Sequence, residues 1–133
     1  MLGLVGASDW VNEFIGKIGR IKEYYNNQDH HIVAKSAWSE CGSRQHDFYL
    51  DKPRKALENN LEHKVDDRRN RVSISNSVHR YIHTKLYYSS IYKNFSPFTD
   101  SSASNKAQII LRLKKFEIIL SELSKVVKLF VGV

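Results

Sequence analysis

The sequence predicts an all-α fold: one domain, a bundle of four to five helices ending in a long heptad-patterned helix. Three observations carry this. At 133 residues the chain suits a single domain with its own core, spanning 1–133. Two prolines and six glycines leave long uninterrupted segments, unlike a many-turned β-sandwich. Apolar residues also recur at helical spacing in three separate stretches.

The first stretch covers about 9–25. Ser8 or Asp9 can cap it, and Val11, Phe14, Ile15, Ile18, Ile21 and Tyr25 form one stripe. Gly16 and Gly19 lie beside that stripe, where they either admit a close backbone or are merely tolerated. A shorter helix is expected from Asp29 to Glu40, stopped by Gly42, with Ile32, Val33, Ala37 and Trp38 on its apolar side. His30 and His31 then fall in its first turn and read as surface residues. Residues 43–51 form a connector that has to pin Phe48 and Leu50 onto the bundle.

Asp51 caps the next helix, with Pro53 in the first turn, where a missing N–H is tolerated. Ala56, Leu57, Leu61 and Val65 mark its buried edge. The β-branched and serine residues of Arg71–Ser75 weaken the helix, so a break or kink is expected there; a strand pairing with Phe48–Leu50 would be isolated. A helix over about 76–95 follows. At 100° per residue, Val78, Tyr81, Ile82, Leu86, Tyr88, Tyr92 and Phe95 share one arc, interrupted by Lys85. The opposite face carries His79, Arg80, His83, Tyr87, Ser90 and Asn94. A flexible loop is expected at about 96–105, and Ser104 can cap the last helix. There Ile109, Leu113, Phe116, Leu120, Leu123, Val127 and Phe130 repeat with 4,3 spacing. Ile110, Ile119 and Val126 widen that seam, which suits a central bundle helix or an oligomer interface, giving a homodimer.

Cys41 stands alone, so no intrachain disulfide forms, and it reads as a small buried residue. The opening MLGLVGASDW lacks a basic n-region, and no apolar run approaches the ~20 residues that span a bilayer. The expectation is a cytoplasmic protein without membrane contact.

Charge is the most informative feature. Between Arg68 and Pro97 stand six basic residues and no acid, which leaves fifteen basic against fourteen acidic residues elsewhere. Such a patch suits nucleic acid or an acidic protein surface. The expected function is a non-enzymatic binding protein engaging RNA or a single strand, on its own or within a larger ribonucleoprotein assembly. Arg68, Arg69, Arg71, Arg80 and Lys93 would hold phosphates, while His83 and Tyr87 would meet sugar or base. The rival is a helical interaction module, inhibitor or adaptor docking on an acidic protein.

Two enzymatic readings compete, with no cofactor expected on the main one. His79 and His83 stand at i, i+4, a workable spacing for two metal ligands, with His63 and Asp66 or Asp67 as further candidates. The HRYIH string lacks the glutamate of the metalloprotease pattern. Alternatively Arg71 and His79 could serve metal-free ribonuclease chemistry, the arginine stabilising a phosphorane and the histidine moving protons. No G-x-S-x-G, phosphate loop or C-x-x-C is present.

Overall fold

A computed structural model describes residues 3–35 and 47–132. The expectations for Ala37, Trp38, Cys41 and Gly42 lie outside these residues. Helix α1 (Ala7–Lys17) is followed by strand β1 (Asn27–His31), helix α2 (Asp47–Asn60) and strand β2 (Arg71–Ser75). Helices α3 (Asn76–Ile82), α4 (Lys85–Phe95) and α5 (Ala103–Phe130) complete the chain. The protein is therefore mostly helical but not all-α.

The two strands pair antiparallel, with His30 opposite Val72 and His31 opposite Arg71. This corrects the helix expected from Asp29 and the kink expected at Arg71–Ser75. In RVSIS, Val72 and Ile74 are buried between exposed Arg71 and Ser73, the period of a strand with one face on a core. That face lies on α5, so burial overrides the weak strand propensity of NQDHH in the partner. Asn70, itself fully buried, closes the end of the pair. Its side chain accepts from the Val33 N–H at 2.8 Å and donates to the Val33 and Val65 carbonyls, while its own carbonyl accepts from Ile32.

Helix α5 runs through the core. Ile109, Leu113, Phe116, Leu120, Leu123 and Val127 are buried in the chain's own interior, and Phe116 stacks on Trp10 and Phe95. The seam expected to form a subunit interface is thus already covered; only Phe130 of that set is exposed. Ser102, not Ser104, caps α5 by accepting from the Asn105 N–H at 3.0 Å.

Three further expectations change. Helix α2 starts at Asp47, so Pro53 sits inside it, and Leu50 is buried while Phe48 is exposed against Tyr92. The segment 96–105 is fastened, since Asn60 donates to the Phe98 and Asp100 carbonyls and accepts from the Ser102 N–H. A Cβ on Gly16 or Gly19 would meet nothing within 4 Å, so neither admits a close neighbour. Gly6 does: at φ +76° it turns the chain under Ser90, which together with Asn94 bonds the Val5 carbonyl.

Candidate active site

Strand β2 turns directly into α3 at Ser75, whose hydroxyl accepts from the Ser77 N–H as the helix cap. The unit β1–β2–α3 therefore sets one face of β1 against the first turns of α3. Side chains alternate along β1, which sends His30 toward α3 while Asp29 and His31 leave the other face. His30 and His79 stack with centroids 3.8 Å apart, and His83 follows one helical turn later, 4.1 Å from His79. A hollow of about 220 Å³ beside them is lined by Asp29, His30, His31, Ala34, Lys35, His79 and His83.

Helix α3 ends at Ile82, and Thr84 caps α4 afresh through a bond from the Tyr87 N–H. That restart resets the helical phase, so a single wheel over 76–95 misplaces several residues after the break, although Tyr88 and Phe95 are buried as it expects. Tyr87, Ser90, Asn94 and His83, expected on an open basic face, are buried. Leu86, expected in the core, is exposed. Tyr87 cannot meet a base; its hydroxyl donates to the Ile32 carbonyl at 2.7 Å and fixes the chain just past His31. His83 pairs through Nδ1 with the Tyr88 hydroxyl at 2.9 Å.

Burial sets the protonation states. The His79 ring is pushed down to about 3, by desolvation first and then by His30 and His31. His83 lies well below the usual imidazole range for the same first reason. His30 is lowered by burial, against an opposing hydrogen bond from Asn76. All three rings are uncharged at neutral pH, the form that accepts protons or ligates metals. His30 Nε2 is buried without a hydrogen-bond partner. Among the described residues no three His, Cys, Asp or Glu side chains converge on one metal position as they stand.

His31 is held differently. Its Nε2 lies 3.0 Å from Asp66 Oδ1, and Lys35 reaches the same oxygen at 2.7 Å. These two partners hold the Asp66 carboxyl below its ordinary range, the Lys35 bond first. His30 and His31 were missed as site residues because they read as a helix start. Their signal was present as the chain's one adjacent histidine pair.

The remaining expected site residues divide. Arg68, Arg69 and Arg71 share a separate cleft of about 480 Å³ that meets the histidine hollow only at Asp29. Arg69 is tied bidentately to buried Asp67, whereas Arg71 faces the exposed Asp29 only at 3.8 Å. Lys93 is exposed on α4 and lines none of these hollows. Arg80 is exposed beside the histidines, over the Tyr81 ring at 5.7 Å. His63 is exposed and lines none of these hollows, which removes it as a ligand partner of His79 and His83.

Residues 11–124 match the family model of AHH, described as a nuclease family of the HNH/ENDO VII superfamily with conserved AHH. No curated protein and no solved structure matches the chain. The family match overturns the expectation of a non-enzymatic binding protein. Of the readings weighed on the sequence, the nuclease alternative fits it better.

Proposed function

The chain belongs to the AHH nuclease family, and we propose that it hydrolyses phosphodiester bonds of nucleic acid at His30, His31, His79 and His83. The observation that supports this site is a single hollow lined by all four histidines and Lys35, with the His30, His79 and His83 rings in contact along it. The chain reads Asp29-His30-His31, so it departs from the family's name motif at the first position.

Hydrolysis requires a water oxygen to attack phosphorus, a base to take its proton and positive charge to meet the developing phosphorane. His31 suits the base. When Nε2–H donates to Asp66, Nδ1 keeps its lone pair, and the carboxylate both orients the ring and stabilises its protonated form. Lys35, which also reaches Asp66, and Arg80 are the cations that line this hollow and the adjoining one. The three uncharged rings supply no charge of their own. Neutral imidazoles are the donors a divalent cation takes, but His30 and His79 stack face to face and His83 Nδ1 is bonded to Tyr88, so these three rings as placed do not fit one metal ion.

The test is cleavage of labelled DNA and RNA by the purified chain, in EDTA and then with Mg²⁺, Mn²⁺ or Zn²⁺ restored. His31→Ala should lower the rate by about 10²–10⁴-fold, and His30→Ala and His79→Ala should also lose activity. No cleavage by the wild type under any of these conditions, or equal cleavage by His31→Ala, overturns the reading.

A further inference from the structure

The histidine hollow is one end of a longer trough. A second hollow of about 400 Å³, lined by His30, Asn76, His79 and Arg80, shares His30 and His79 with the first. A third, of about 380 Å³, shares Asn76 and Arg80 with the second. It continues over Arg20, Lys22 and Tyr25, with Ser77 and Tyr81 along its wall. The trough thus runs from Lys35 across the start of α3 to the segment after α1.

Its far end carries the chemistry of a strand-binding subsite. Arg20, Lys22 and Arg80 are exposed cations, and Glu23 is the acid among the lining residues. The Tyr25 ring is 56% exposed and lines the hollow beside Glu23. An exposed aromatic among cations is what an unpaired base and its phosphates require. A duplex keeps its bases stacked on one another and offers Tyr25 nothing to stack on.

We propose that this trough holds a single-stranded or locally unpaired nucleic-acid strand, with a base on Tyr25 and flanking phosphates on Arg20, Lys22 and Arg80. The proposal rests on the nuclease reading for the position of the cut, but strand binding is measured separately. Fluorescence anisotropy in EDTA would follow labelled single-stranded DNA, single-stranded RNA and blunt duplex DNA of equal length.

Tyr25→Ala should weaken single-strand binding roughly 5- to 150-fold, the range of one lost base stack. Arg20→Ala with Arg80→Ala should flatten the log–log salt slope by about 1.4, whereas Lys125→Ala, paired with Glu122 on α5, removes a cation outside the trough and should leave Tyr25-dependent discrimination unchanged. Single strands should bind at least ~10-fold tighter than duplex, and the DNA and RNA arms show which sugar is preferred. In parallel, bis(4-nitrophenyl) phosphate is too small to reach Tyr25, so Tyr25→Ala should hydrolyse it like the wild type while losing kcat/KM on oligonucleotides.

Wild-type binding with no cleavage of either substrate would overturn the nuclease reading and leave the trough standing. Unchanged single-strand affinity in both the tyrosine and the double arginine variants, or equal affinity for duplex, would overturn the trough. A circular-dichroism melt of each variant separates lost binding from lost folding.

Discussion

At the residue scale, neighbouring side chains of one type are given different tasks by different surroundings. His79 has an uncharged ring because burial removes the water an imidazolium needs, whereas His31 leans on a carboxylate. A folded-state value near 3 against about 6.5 in the unfolded chain fixes the sign of the stability effect. Above pH 6.5 both states are neutral and the contribution is complete. Below it the unfolded chain takes up a proton first, so stability is lost progressively toward pH 3. The lowered His30 and His83 act in the same direction. In EDTA, Tm should therefore fall between pH 7 and 4.5, and His79→Phe, which keeps a ring but cannot titrate, should fall less; parallel curves would contradict this. Asp29 offers the opposite case. Its carboxylate is 65% exposed and reaches Arg71 only at 3.8 Å, a pair worth about 0–1 kcal/mol. Asp29→Ala should therefore leave cleavage within a few-fold of the wild type, as measured by initial rates on a labelled strand.

At the element scale, the site depends on the ends of α3. Ser75 starts it, and the break at His83–Thr84 stops it after seven residues, which allows His83 to turn inward. Ser75→Ala should cost about 1 kcal/mol through the lost cap. Tyr87→Phe should cost more, about 1–3 kcal/mol, because it strands the buried Ile32 carbonyl; urea midpoints at constant m-value would show both. These ends explain what the sequence concealed. The apolar arc of 76–95 was legible as helix, but one wheel cannot register a phase reset of two residues, and Tyr87 and Leu86 exchanged places. The strand RVSIS was legible only as a weakness in a helix. Its partner NQDHH has little strand preference of its own, and only α5 beneath Val72 and Ile74 makes the pairing worthwhile.

At the scale of the whole molecule, α5 was the most legible element and the most misread in purpose. Its 4,3 repeat was correctly long and helical, yet periodicity alone does not say whose apolar surface a seam meets. Here it meets α1, α4 and β2 of the same chain, through Trp10, Phe95 and the strand's buried side. Leu113→Ala should accordingly destabilise the fold by about 2–5 kcal/mol, while Phe130→Ser should stay within about 0.5 kcal/mol. Sedimentation of both variants alongside the wild type would show whether either change touches self-association instead of folding. The positive stretch from Arg68 onward pointed correctly to nucleic acid as substrate or partner for a member of this family, although Arg69 is committed to the Asp67 carboxylate.

The pairing of β1 with β2 also has a kinetic side. His30 and His31 are separated from His79 and His83 by the whole of α2 and its flanking turns, and they meet only when residues 27–31 find residues 71–75. Joining positions so far apart must precede any local reward, so it belongs late in folding, while α2 and α5 can form from near neighbours. On refolding from urea, cleavage activity should return in the same slow phase as the near-ultraviolet signal of the aromatic side chains, after most far-ultraviolet ellipticity is back. A newly made chain would then have no cutting centre until β2 and the helix beneath it are both available.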